Sequence, residues 1–218
     1  MKTIHRLIVT SQAYQRASSL EPAPTAANQK VDPANRHLWH FPLRRLEAEP
    51  LWDSIFTAAG KLDLSVGGAS FDIRPALGRR GSRGSPRSAG SSNRRAAYMI
   101  RGYSTSRDVV PQFLQAFDVE DGRAPCPLRT QTVTAPQALF LMNSAALDQA
   151  TTQLAERLRQ ESGGALPAAV ELAYRLTLAR PPTPHESARA LAYLGNDPAR
   201  LKGLAWLLFN LDEFLYVR

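Results

Sequence analysis

The sequence predicts a mainly α-helical protein: an irregular helical array ending in a C-terminal helical bundle, with long loops and little or no strand. Three observations lead there. Apolar residues recur at helical spacing through the last 85 residues, with short connections between the runs. Those runs are bounded by helix start and stop signals, such as Thr183-Pro184-His185-Glu186 and Gly163-Gly164. The chain shows no strand–helix–strand alternation and no glycine-rich phosphate loop.

Ile4, Leu7, Ile8 and Ser11 share one helical face, so a first helix is predicted over 2–15. Glu21-Pro22-Ala23-Pro24 reads as a surface connector that cannot hold a helix, because proline lacks the backbone donor. Asp32-Pro33 starts a turn, and Leu38-Trp39-His40-Phe41 reads as a short buried aromatic segment. A helix is expected over Leu43–Glu49, with a kink or restart at Pro50. Leu51, Ile55, Ala58 and Ala59 keep helical spacing up to Gly60, a natural terminator.

Residues 65–95 are rich in Gly, Ser and Arg and should pack little. Ala97–Ile100 reads as extended. Residues 104–133 lack a period, with Phe113, Leu114 and Phe117 expected to anchor them on the core. Thr134 is placed to cap a helix that ends at Asn143-Ser144. The next helix carries Leu147, Ala150, Leu154 and Leu158 on one face. Pro167 suits the first turn of a further helix. Thr183 and Glu186 form a capping box, and Asp197-Pro198 caps a last helix with Leu201, Leu204, Ala205 and Leu208 inward. The segments are 1–77, an N-terminal helical part; 78–95, a disordered Gly/Ser/Arg insert; 96–133, an irregular connection; and 134–218, a helical bundle expected to form one domain with 1–77.

Composition narrows the classes. With 44% hydrophobic and 21% charged residues the chain is globular. A single cysteine, Cys126, excludes an internal disulfide and a cysteine-rich metal site. No Cys-x-x-Cys-His occurs, so no haem or other cofactor is expected in this chain. No apolar run is long enough for a transmembrane segment, and no signal peptide is legible. Met1 opens directly into an amphipathic helix, which suits the C-terminal piece of a larger multidomain protein. The net charge is +8, yet residues 78–95 hold six of the 27 Lys and Arg and no acid. The remainder is close to neutral, so nucleic-acid binding is expected to be weak and salt-sensitive at most.

Four stretches occur together: Leu7-Ile8-Val9-Thr10-Ser11 with Tyr14, followed by Asp32-Pro33-x-Asn35-Arg36-x-Leu38-Trp39; Arg44-Arg45-Leu46-Glu47-Ala48-Glu49; Cys126-Pro127-x-Arg129-x-x-Thr132-Val133-x-x-Pro136-Gln137 running to Asn143; and Glu213-Phe214-Leu215-Tyr216-Val217. In this order they resemble the C-terminal domain of unknown function of planctomycete proteins that also carry cytochrome-c-type domains. The resemblance spans nearly the whole chain; the Arg-rich insert and Pro50 depart from it. It implies a module exported to the periplasm or cell surface. It also implies partners among upstream domains of the same protein or a companion chain.

Arg129, Thr132, Thr134, Gln137 and Asn143 cluster around a helix start. A helix N-terminus with an arginine can bind an anion or a sugar hydroxyl. The commoner use of such residues is to cap the helix and hold the irregular segment. Arg44, Arg45, Glu47 and Glu49 suggest an interior ion-pair network or part of a polar cleft, against the commoner structural or solvated role of such charges. Carboxylates two residues apart on a helix diverge, so they make no acid/base pair by themselves. Asp118, Glu120 and Asp121 before Gly122 lack the EF-hand spacing. His5, His37, His40 and His185 lack metal spacing. The expectation is an interaction or scaffold module. Half of an enzyme site completed by another domain, and a weak nucleic-acid binder acting through the Arg-rich insert, are the alternatives.

Overall fold

The computed structural model describes residues 1–18, 22–68, 70–71, 93–100, 112–119, 129 and 132–217. Among these residues lie ten α-helices, two 3-10 turns and one two-stranded antiparallel sheet, so the mainly α-helical class is correct. The chain divides into two compact units, Met1–Arg45 with Tyr216–Arg218, and Leu46–Leu215. Neither boundary coincides with the segments expected from sequence.

The first unit opens with α1 (Lys2–Val9), shorter than the 2–15 expected. The Thr10 hydroxyl donates to Arg6 O at 2.7 Å and the Ser11 hydroxyl to Ile8 O at 2.7 Å. These hydroxyls satisfy the last carbonyls in place of another turn of helix. The connector expected at Pro22–Pro24 is instead the start of α2 (Pro22–Val31). Both prolines fall in its first turn, where a backbone N–H has no partner to lose.

Asp32 then organises a loop. Its carboxylate accepts the N–H groups of Arg36 (2.9 Å) and His37 (2.8 Å), and its carbonyl accepts the Trp39 indole at 2.9 Å. Those bonds to the ionised form, the His37 amide first, hold the Asp32 pKa below its usual value. Asn35 closes the loop by donating to His40 O at 2.8 Å. The Leu38–Phe41 segment, expected to be buried, is not: Leu38 is 52% exposed and Trp39, His40 and Phe41 are half-buried. Its aromatics serve the polar loop. Arg44–Arg45, expected in a helix, form β1, paired antiparallel with β2 (Tyr216–Val217) in the register Arg44↔Val217 and Arg45↔Tyr216.

In the second unit α3 spans Ala48–Ala58. Pro50 lies in its first turn, so the expected restart is the helix start itself. Leu51, Trp52, Ile55 and Phe56 are buried along one face. Gly60, at φ +69°, ends the helix in the left-handed region. The Arg157 guanidinium donates to the end carbonyls of α3, Thr57 O (3.2 Å) and Ala58 O (2.9 Å).

Residues 78–92 of the Arg-rich insert lie outside the described residues. Arg94 and Arg95, assigned to it from sequence, are packed: Arg94 is buried, donates to Gly67 O and lies 4.1 Å over the Tyr98 ring. Its carbonyl accepts the Trp52 indole at 3.1 Å. Isolated bridges join Asp63 to Arg94 and Phe71 to Met99. Of Ala97–Ile100, expected as a short strand or extended segment, Ala97 and Tyr98 lie in a 3-10 turn (Ala96–Tyr98), while Met99 is extended and bridges Phe71.

Next come α4 (Gln112–Ala116), α5 (Ala135–Asn143), α6 (Ala145–Glu161), α7 (Leu166–Leu178), α8 (Pro184–Leu194), α9 (Leu201–Phe209) and α10 (Asp212–Leu215). As expected, Phe113, Leu114 and Phe117 are buried. Phe113 stands 5.3 Å from Trp52 and 5.6 Å from Phe140, an aromatic cluster that ties α3, α4 and α5 together. The closest helix pairing is α6 on α9, where Leu154, Leu158, Leu204 and Leu208 are almost wholly buried. Ser144 caps α6 through Leu147 N–H, Asp197 caps the turn before α9, and Thr183 with Glu186 caps α8 from both directions.

Candidate functional site

The second unit brings together motifs that are far apart in sequence. Arg129 donates to Glu47 at 2.9 Å and, through both terminal nitrogens, to Glu49 at 2.6 and 3.0 Å. Half of one expected group, Glu47 and Glu49, thus meets the arginine of the other. A planar fork suits this: one guanidinium spans two carboxylates that a helix start splays apart. Arg44 and Arg45 are strand residues of the first unit, not part of the helix expected over Leu43–Glu49.

Thr132 and Gln137 converge on Asp118, which had been considered only for a calcium loop. Thr132 donates to it through N–H (2.9 Å) and hydroxyl (2.7 Å), and Gln137 through its amide at 3.2 Å. Gln137 Oε1 in turn accepts Thr134 N–H at 3.1 Å, the reciprocal bond of a capping box. Gln137 is buried, and Asn143 donates back to Leu139 O within its own helix. Arg129 is thus engaged with two carboxylates, and Thr132 and Gln137 with a third. These bonds tie Arg129 to the start of α3, and Thr132 and Gln137 to Asp118 just past α4. Glu120, Asp121, Gly122 and Cys126 lie outside the described residues.

Beside Glu49 opens a cleft of about 550 Å³, within the range of small-molecule sites. Its α3 wall presents Pro50, Asp53, Ser54 and Thr57, the face opposite the buried Trp52 and Phe56. Its other side is apolar, with Leu176 of α7 and Phe214 of α10. Asp53 accepts Ala96 N–H at 2.7 Å and Arg95 Nε at 3.3 Å. Of this lining the sequence singles out Glu49 alone as a candidate site residue, read as part of an ion-pair network or a polar cleft; Arg95 falls within the Arg-rich insert, and no motif points to Ser54 or Thr57.

A second charged hub also escaped sequence reading. Arg180, read only as part of a helix stop, donates to Glu186 at 2.7 and 2.8 Å and to Glu213 at 2.7 and 2.8 Å. It joins the start of α8 to α10 across 33 residues of sequence. The Arg180 guanidinium holds the Glu186 carboxyl down at about 2, and the two carboxylates push the Arg180 pKa up. Tyr174, whose ring lies 5.6 Å from the guanidinium, is pushed up by burial.

Among the described residues no group of three or more His, Cys, Asp or Glu is placed to hold a metal ion. His40 packs edge-on against Trp39 with ring centroids 4.3 Å apart, and its Nδ1 lies 3.2 Å from Phe41 O. Among the same residues no helix is long and apolar enough to cross a membrane.

No curated protein and no solved structure matches the chain. One family model matches, described as PSD1, a protein of unknown function (DUF1553), over residues 1–194. That stretch takes in the Asp32 loop, the Glu47–Glu49–Arg129 fork and the Asp118 cluster, so the chain belongs to the PSD1 (DUF1553) family, whose function is unknown.

Proposed function

We propose that this chain is an interaction or scaffold module of a larger exported protein of planctomycete type. In this reading it positions cytochrome-c-type redox domains that belong to the same protein or to a companion chain. The observation that carries the proposal is α1. It buries no residue, and Ile4 (58% exposed), Leu7 (67%) and Ile8 (50%) form one apolar face. An amphipathic helix gains its stability from covering such a face, and contiguous exposed apolar surface marks interaction sites. Covering side chains of this size is worth about 1.5–3 kcal/mol each, enough for a docking contact. The pairing of Arg129, Glu47, Glu49 and Asp118 with one another is consistent with a rigid support.

The purified chain should self-associate or bind an apolar dye. Replacing Ile4, Leu7 and Ile8 together by serine should abolish both behaviours. A wild-type chain that light scattering shows to be monomeric, with no dye binding, sinks the proposal.

A further inference from the structure

We propose that the cleft beside α3 binds a neutral, hydroxyl-rich small molecule of the saccharide class. The argument begins with charge. Each carboxylate at the cleft already faces a guanidinium: Glu49 faces Arg129 through two bonds, and Asp53 faces Arg95. An entering anion would meet Glu49 and Asp53 and would have to take Arg95 from Asp53. An entering cation would meet Arg95 and would have to compete with a guanidinium for a carboxylate that is already bonded. A wholly apolar ligand would strip water from both ion pairs without replacing its hydrogen bonds.

What the cleft does offer is direction. The Asp53 carboxylate oxygens each accept one bond and have lone pairs beyond those used. Arg95 is bonded to Asp53 through Nε, and its side chain is 51% exposed, which leaves its planar fork available. Thr57 and Thr177 donate their hydroxyl protons inward, to Asp53 O (2.6 Å) and Ala173 O (2.7 Å), so their oxygens remain acceptors toward the cleft. Ser54 adds a half-buried hydroxyl. Across from the α3 wall stand Leu176 and Phe214, with Thr177 next to Leu176 on α7. Hydroxyls and charged groups set beside apolar surface match a sugar ring, which is polar at its rim and apolar on its C–H face.

This inference is independent of the α1 docking reading; either can fail alone. The test titrates the full chain, followed by amide NMR, with glucose, galactose and cellobiose, and separately with inorganic phosphate and spermidine. At least one neutral saccharide should saturate, at a dissociation constant of millimolar order (about −4 kcal/mol), and shift the amides of Ser54, Thr177 and Phe214. Arg95→Gln should weaken it roughly tenfold. Ser54→Trp, which fills the cleft from an α3 position outside the core, should abolish it. If the tryptophan variant does not fold, Thr177→Val probes the cleft from its α7 side and should weaken the saccharide. No saccharide saturation up to about 50 mM overturns the proposal, as does binding indifferent to Arg95→Gln or preferential saturation by phosphate or spermidine.

Discussion

Among the described residues, buried positions in the Leu46–Leu215 unit include Trp52, Phe56, Phe113, Leu154 and Phe209; in the Met1–Arg45 unit they are Ser18, Asp32 and Arg45. Every buried apolar residue among those described lies between Ala48 and Phe214. Charge separates the two as well. Residues 1–45 hold seven Lys and Arg against two Asp and Glu, whereas residues 46–215 hold 19 against 17. One unit is built on apolar packing. The other is built on a carboxylate that gathers backbone N–H groups, with its apolar side chains left outside. Two motifs equally legible in sequence therefore do different physical work: Leu51–Phe56 fills a core, and Asp32–Trp39 writes a hydrogen-bonded loop.

The largest expected effect tests the packed unit. Trp52→Ala removes a ring that touches Phe56 and Phe113 and donates to Arg94 O, and should lower stability by about 3–5 kcal/mol in thermal or denaturant unfolding. Next comes the Arg180 hub. The folded Glu186 pKa of about 2 lies below its ordinary value of 4.5, so its contribution is fully present above pH 4.5. That contribution is lost as pH falls toward 2. Glu186→Gln should cost about 1–2 kcal/mol at pH 7, after allowance for solvent screening, and flatten the acid limb of a stability–pH profile. An unchanged profile would remove the hub from the packed unit's support.

Gly60→Ala should cost about 1–2 kcal/mol. The residue sits at φ +69°, and a Cβ there would stand 3.1 Å from the Arg157 side chain that closes α3. The smallest effect belongs to the first unit. Ile4→Ala and Leu7→Ala should each change stability by no more than about 0.5 kcal/mol, since exposed helix positions lose little packing and gain propensity. If either costs as much as a core truncation, the contrast between the units fails and α1 is covered in solution.

Legibility followed the same division. The helices from Ala135 to Phe209 were visible because apolar period, caps and proline or glycine punctuation agreed at each one: Thr183 with Glu186, Asp197, Ser144 and Gly195. Prolines mislead where their position in the helix is not visible: Pro22, Pro24 and Pro50 read as helix breakers, yet each occupies a first turn, where a missing donor costs nothing. Leu38–Phe41 was weighed by hydrophobicity, although Asp32 and Asn35 decide its conformation. Of the candidate site, the residues of the Arg129 fork and the Gln137 cap were visible, but their partners were not. Glu49 lies 80 residues from Arg129, and no local pattern encodes a pairing over that distance. The walls of the cleft were invisible for the same reason: they come from α3, α7 and α10.

The two isolated bridges carry a consequence for how this chain can change length. Phe71 N–H donates to Tyr98 O at 3.0 Å and Ile100 N–H to Phe71 O at 2.9 Å, while Asp63 bridges Arg94. The chain on either side of the insert is thereby clamped to itself before it rejoins the core. Closing a clamped loop becomes harder only with the logarithm of its length, about 0.6 kcal/mol for each doubling. On closure entropy alone, a longer chain between Phe71 and Asn93 costs the core little, because Phe71 is held at Tyr98 and Asn93 at Asp63 whatever length joins them.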